Sequence, residues 1–365
     1  MKEREMIERI RAAFPESGIG DDTAVLPPVA GELLLASDAV VENVHFTRRR
    51  STLSQAIQKA VTSNVSDVYA MGGRPEAIVL SAGLPPGCLP EDVDSIVEGL
   101  YISCGAYGVR LAGGDTVTSP GGYFFDVAIA GSVPPGRAVR RSGARAGDAV
   151  VLFGEIGPSL AGLSLLEAFL GPCGCGGPAL PAPRFRDCAA AGGRVRAASA
   201  GLSVATGAAA LRSASAGLAH IPHAAEMLRF IQRHLAPRAE PAGAGLLGGA
   251  EPAITAMIDV SDGLARDLRT LCEVSGVGAE IEAASLPVPE AIGEIFGLEG
   301  DALVDFALSS GEEYVLLAAV RPEAVADFPP GAAVIGRLLS PAAGIEISGS
   351  AGQRPLPPVG YEHAF

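Results

Sequence analysis

Residues 54–82 read SQAIQKAVTSNVSDVYAMGGRPEAIVLSA. Ile57, Val61, Val65 and Val68 recur at intervals of three and four, so residues 54–71 form a helix with one apolar face. Gly72 and Gly73 stop it, and 76–82 then reads as a strand. The same alternation continues outward. Upstream, LLLAS at 33–37 reads as a buried strand. Downstream come a helix at 91–107, a short strand at Val109–Ala112 and the long strand YFFDVAIAGSV at 123–133. The loop PPGRAVRRSGARAGD at 134–148 marks a domain boundary, giving units 1–137 and 138–365. The second unit predicts strand 149–153, helix 158–170, strand 254–260, helix 263–275, strands 313–320 and 332–336, and a short C-terminal tail. Strands and helices in such alternation mean layered α/β or α+β architecture.

Composition narrows the chemistry. A formal net charge of −14 repels nucleic acid and anionic membranes. No apolar run has the length of a membrane span, and MKEREMIERIRAAF reads as an amphipathic helix, not a signal peptide. The expectation is a soluble cytoplasmic protein. The six cysteines form no paired framework, and Cys173, Cys175 and Cys188 lack the spacing and fourth ligand of a zinc site. Lys2 and Lys59 are the only lysines. Lys59 reads either as a counter-charge for phosphate or as a surface ion pair. Residues 171–222 are rich in Gly, Ala, Pro and Arg with Asp187 as the only acid, and read either as an atypical, flexible insertion or as a segment not native in sequence, such as a shifted reading frame, with no function placed there.

Acids recur after apolar runs and beside glycines. They are Asp21 and Asp22 in GIGDD, Asp38 after LLLAS, Asp67 on the helix, Asp115 in LAGGD, and Asp259 and Asp262 in MIDVSDG. Strand ends are where α/β sheets bind ligands. Each aspartate taken alone also reads as a turn former or helix cap, Asp262 as a cap for the helix that follows it. Gathered in one cleft, each pair at 4 Å would repel by about 4 kcal/mol at an effective dielectric of 20. Cations must then hold them, and all-oxygen donors select magnesium or manganese over zinc. The chain has no G-x-x-x-x-G-K-[ST] and no G-x-G-x-x-G after a strand.

In order, GIGDD, SDAVVENVHF, KAVTSNVSDVYAMGG, GVRLAGGDTV, RRSGARAGD, MIDVSDGLARDL, SGEEYVLL and GYEHAF resemble the thiamine-monophosphate kinase family, part of the aminoimidazole ribonucleotide synthetase superfamily. The resemblance spans nearly everything except 171–222. It implies two α/β domains, with the N-terminal sheet forming a homodimer interface and a C-terminal α/β domain. It implies transfer of phosphate from ATP, with Mg2+, to thiamine monophosphate. Carried over by position, Asp22, Ser37, Asp38, Asp67, Asp115, Asp259 and Asp262 hold metal, and Asp67 and Asp115 are catalytic. Gly114, Asp115, Arg141 and Ser261 contact nucleotide. His45, Glu312 and Tyr361 contact substrate. Glu313 and Ser310 stand where the family usually has Asp and Gly, and Val97 where an aromatic beside adenine is expected. Rival readings are a superfamily enzyme with another acceptor and a non-catalytic nucleotide- or metal-binding relative. The first cysteine, Cys88, and the final Phe365 speak against the selenophosphate and hydrogenase-maturation branches.

Overall fold

The computed structural model describes residues 3–15, 17, 19, 23–170, 181–183, 195–200, 202, 215–216, 218, 221–243, 253–327, 331–350 and 352–362. Its centre is the helix read from residues 54–71. This helix, α2 (Leu53–Ala70), follows α1 (Glu3–Ala13) and β1 (Glu32–Val41). Thr52 and Gln55 form a reciprocal capping box at its start. It is buried on nearly every side, polar residues included. A helix that is buried all round has partners on both flanks, and α2 has a sheet on each.

The first sheet combines β1 with β2 (Arg74–Leu84), β3 (Arg110–Thr118) and β4 (Phe124–Val133) in the order β1-β4-β2-β3. β2 and β3 are parallel, joined through α3 (Pro90–Tyr107); the other pairs are antiparallel. Ile57, Val61, Val65 and Val68 pack on its inner face with Leu80, Phe125, Val127 and Ile129. The predicted buried strand at 33–37 needs correction. β1 is a longer edge strand whose residues alternate between faces, so Leu33 and Leu35 are 52% and 75% exposed on the outer side. Val79, Val117 and Phe124 are also exposed.

The second sheet has seven strands in the order β11-β10-β7-β9-β5-β8-β6. They are β5 (Ala149–Phe153), β6 (Ile254–Asp259), β7 (Gly278–Glu282), β8 (Leu316–Val320), β9 (Ala332–Leu339), β10 (Ile345–Gly349) and β11 (Gly352–Pro355). Its helices are α4 (Pro158–Leu170), α5 (Ala224–Leu235), α6 (Leu264–Ser275), α7 (Glu290–Phe296) and α8 (Gly300–Leu308). The region read as a short tail therefore supplies β10 and β11. The predicted strand 313–320 begins only at Leu316, because Glu312 and Tyr314 adopt φ of 57° and 51°. Left-handed residues interrupt the regular ladder, although Tyr314 N still donates to Val260 O (2.9 Å).

The arginine-rich loop 134–148 is a strap between the two sheets. Val139 N donates to Met71 O at the end of α2 (3.0 Å), and Met257 N of β6 donates to Arg140 O (2.9 Å). Further bonds stitch α2 and its surroundings to the second unit: Arg50–Glu167, Thr62 Oγ1 to Pro237 O and Ala239 N to Tyr107 Oη. Lys59 is not a surface lysine. It is 3% exposed and paired with Glu312.

Most of 171–222, with Cys173, Cys175 and Cys188, lies outside the described residues. Its described parts are packed: Val195, Leu202 and Leu218 join the core of α4 and α5. Gln55 Nε2 donates to the carbonyls of Ser199 (2.7 Å) and Leu202 (3.0 Å). Cys88, Cys104 and Cys272 are free thiols. Among the described residues, no helix is long and apolar enough to cross a membrane.

Because α2 is clasped from both sides, Ile57→Ala should destabilise the protein by about 2–5 kcal/mol in urea denaturation. Val274→Ala, on the exposed side of α6, should change it by no more than about 0.5 kcal/mol. Equal effects would show that α2 is not a core element.

Candidate active site

On α2, Lys59, Ser63 and Asp67 follow at steps of four, and Ser66 lies three beyond Ser63, so they form one polar stripe. The stripe faces the second unit. Ser66 Oγ donates to Asp259 Oδ2 at 2.8 Å, at the end of β6. Asp38 arrives from the inner face of β1 near Ser63, which lowers its carboxyl pKa against the rise from burial, while the Ser63 hydroxyl donates to Ala60 O at 3.1 Å.

These three acids lie within one another's field. Burial raises the Asp67 carboxyl to about 7, with Asp259 and Asp38 adding to the rise. Asp259 is raised to about 6 by burial, with Asp38 adding and Ser66 and Arg141 opposing. Asp38 is likewise raised by burial, with Asp126 and Asp262 adding and Ser63 and Arg141 opposing. Arg141, on the strap, is the shared counter-charge for all three.

The loop after β6 is organised by a residue the sequence reading missed. Asp267 Oδ2 accepts the amides of Ser261 (3.1 Å), Asp262 (3.2 Å) and Gly263 (3.2 Å). Burial, then Asp259 and Asp262, push the Asp267 carboxyl up to about 8. Asp262 therefore does not cap α6, as one sequence reading had it. Its side chain pairs with Arg266 at 3.4 Å, and its carbonyl accepts Tyr361 N at 2.8 Å. Tyr361 is brought beside the acids in this way, with its side chain half exposed.

Glu312 forms the second focus. Lys59 Nζ donates to both carboxylate oxygens, at 2.8 and 2.9 Å, and to His45 O at 3.3 Å. His234 Nδ1 lies 3.4 Å from Glu312, and Glu312 N donates to Ser261 O at 2.7 Å. His45 Nδ1 accepts from Val41 N (3.1 Å), which ties the ring to the end of β1. Tyr314 joins the two foci. Its ring is buried in the N-terminal core, and burial together with Glu312, Asp38, Asp259 and Asp67 holds its phenol well above its usual range. It stays a neutral hydroxyl among acids. The left-handed φ of Glu312 and of Tyr314 costs on the order of 1–3 kcal/mol each.

Other expected residues lie elsewhere. Ser37 Oγ donates to Asp126 Oδ1 at 2.8 Å, on the face of the sheet opposite Asp38. Gly114 and Asp115 are on β3, the far edge, where Asp115 aligns with Ser81, Ser81 with Asp126 and Asp126 with Ala39. Three strand spacings, about 14 Å, separate β3 from β1. Asp115 there borders an apolar groove between α1 and the sheet, lined by Met6, Ile10, Leu80 and Leu111. Val97 packs against the N-terminal core. Asp21 and Asp22 lie outside the described residues. Asp126, Ser63 and Ser66 had signals in the sequence: an acid inside an apolar strand, and hydroxyls on the helix face of Asp67.

The donors at the acid cluster are carboxylate and hydroxyl oxygens, which suit a hard divalent cation. Among the described residues, no three acidic, histidine or cysteine side chains converge closely enough to hold a metal ion by themselves. That arrangement fits magnesium, which keeps waters and takes substrate phosphates beside one or two carboxylates.

Residues 20–133 match the model of the AIR synthase related protein N-terminal domain, and residues 236–340 that of the C-terminal domain. The thiamine-monophosphate kinase of Mycobacterium tuberculosis is 30% identical over 333 residues, covering 91% of this chain and 82% of the relative. That of Synechococcus elongatus is 30% identical over 326 residues, covering 88% and 82%. Among solved structures, AaThiL complexed with AMPPCP and TMP superposes with a TM-score of 0.67 at 27% identity, covering 100% of this chain and 99% of that one. The Stenotrophomonas maltophilia thiamine-monophosphate kinase gives 0.69 at 27% identity, covering 96% and 98%. The two domain models, the two-sheet architecture and the full-length likeness agree: this chain belongs to the AIR synthase related proteins, in the thiamine-monophosphate kinase family.

Proposed function

We infer that the chain transfers the γ-phosphoryl group of ATP to thiamine monophosphate, forming thiamine diphosphate and ADP. The carrying observation is that Asp38, Asp67 and Asp259, from three separate elements, gather in one field where burial raises all three carboxyls and Arg141 opposes the rise. Support comes from its relatives: the kinases of its family bear this activity in their name, and AaThiL was solved with an ATP analogue and TMP.

The acceptor is already an anion, so no strong base is needed to make it a nucleophile. The barrier is repulsion between two phosphoryl groups, and catalysis is positioning plus charge stabilisation. Asp38, Asp67 and Asp259 are the residues that would hold magnesium. A magnesium ion supplies charge neutralisation and alignment of donor and acceptor oxygens. Arg141, whose charge already reaches all three acids, adds a guanidinium suited to a phosphate. The Ser261–Gly263 loop, fixed by Asp267, presents backbone toward the nucleotide. Glu312, held by Lys59, offers negative charge to the cationic thiazolium. The Tyr361 ring adds cation–π attraction of about 1–2 kcal/mol. Gly114 and Asp115 are assigned to the nucleotide, as their position beside the groove under α1 allows.

We also propose a homodimer formed through the outer face of the first sheet. Leu33, Leu35, Val79, Val117 and Phe124 are exposed there on a sheet whose β1 edge is unpaired. Exposed apolar faces of this kind mark interfaces. Leu35→Glu should shift the protein to the monomer mass in light scattering; an unaltered dimer would exclude this face.

Thiamine diphosphate formation from ATP, Mg2+ and thiamine monophosphate tests the reaction directly. Asp67→Asn should lower kcat by about a hundredfold or more while the fold persists by circular dichroism. Nucleotide binding without product would favour a non-catalytic relative.

Protons compete with the cation for the same oxygens. The Asp67, Asp259 and Asp267 carboxyls sit at about 7, 6 and 8, above the ordinary carboxylate range. Their protonated forms are the better tolerated, so their contribution to stability is complete at about pH 4 and is lost as pH rises through about 8. The thermal midpoint of cation-free protein should fall across that window, Mg2+ should restore it at the upper end, and Asp67→Asn should flatten the fall. A midpoint independent of pH would contradict the cluster.

A further inference from the structure

The turn at 310–314 sends consecutive side chains in different directions. Glu312 goes to Lys59, Tyr314 into the N-terminal core, and Glu313 between them is fully buried under the start of α4. Glu313 Oε1 accepts the amides of Gly157 (2.8 Å) and Ser159 (3.0 Å). Ser310 Oγ accepts the amide of Leu160 (3.1 Å) and donates to Glu313 Oε1 (2.6 Å). Pro158 has no amide hydrogen, and Ala161 N makes the first helical bond to Gly157 O (2.9 Å). Two side chains from a distant loop thus account for every free amide in the first turn of α4. A carboxylate there also meets the positive end of the helix. Arg233 Nη2 closes the arrangement from the other side by donating to Glu313 O at 2.5 Å.

Ser310 and Glu313 are bonded to each other, hydroxyl to carboxylate, and with the α4 amides they form one structural unit.

We propose that Ser310 and Glu313 act together as a positioning pair for the thiamine substrate, pinning the turn to α4 so that Glu312 and Tyr314 hold their left-handed conformations at the site. The pair touches neither phosphate nor metal-binding acids; it acts through the backbone it fixes. Its consequence falls first on substrate recognition at Glu312; the nucleotide loop, although bonded to Glu312 N through Ser261 O, is held independently by Asp267. The proposal rests on the reading of Glu312 as a substrate contact.

Steady-state kinetics of the full chain with ATP, Mg2+ and thiamine monophosphate test it, using Glu313→Gln, Ser310→Ala, the double variant and Glu312→Gln. Glu313→Gln keeps an acceptor oxygen but removes the negative charge that faces the α4 amides, and should raise KM for thiamine monophosphate about tenfold and leave KM for ATP within about twofold. Ser310→Ala, the milder change, should move the same constant in the same direction. The double variant should be no worse than Glu313→Gln alone, because the pair works as a unit. Unchanged KM for thiamine monophosphate with only a lowered thermal midpoint would overturn the proposal and leave a structural cap. Additive effects, or equal rises in both KM values, would overturn it too. If Glu312→Gln raises KM for thiamine monophosphate and the other variants do not, the pair is refuted while the Glu312 reading stands. If Glu312→Gln leaves that constant unchanged, the Glu312 reading falls, and the proposal with it.

Discussion

Asp38, Asp67 and Asp259 come from a sheet, a helix and a second sheet; Asp259 is buried, the other two are partly buried, and burial raises all three carboxyls. Like charges do not gather in low dielectric unless something holds them there. The holding force is the burial of α2, whose apolar face packs on the first sheet while its polar stripe is bonded across to the second unit. The site is therefore a place where folding energy is stored as electrostatic repulsion. A divalent cation and a phosphate are the species that relieve it.

The same logic explains why the junction is so polar. Ser63, Ser66, Lys59 and Gln55 lie on a helix with almost no exposure, and a helix buried between two units must satisfy those groups on the far side. Ser66, Lys59 and Gln55 find partners in Asp259, Glu312 and the carbonyls of Ser199 and Leu202, and Ser63 in Ala60 O of its own helix. These bonds are geometrically specific where apolar packing is not. They set how the second sheet is seated against the first, and so fix the separation of the acid cluster from the Glu312 focus.

Around the cluster, carboxylates are used in two different ways. Asp267 and Glu313 face amides at helix starts and shape backbone. Asp38, Asp67 and Asp259 lie in the field of Arg141, and it is the Ser66 hydroxyl, not an amide, that donates to Asp259. Burial raises the pKa of both kinds, so a raised pKa alone does not tell a ligand from a scaffold; the identity of the hydrogen-bond donors does.

Local pattern in the sequence determined the helices, the major strands, the two-layer class and the acids at strand ends, because periodicity and chain punctuation are properties of neighbours. Ile57 to Val68 announced α2, and MIDVSDG announced β6 and its loop. The ordered motifs also carried the family. Tertiary structure alone decided which acids meet. Asp38 and Asp67 join Asp259, while Ser37 turns to the opposite face and Asp115 lies across the sheet, because strand order and side-chain alternation are set by pairing that no local window contains. It likewise decided that Lys59 is buried, since its partner Glu312 lies more than two hundred residues away along the chain, and that residues 313–315 leave the predicted strand.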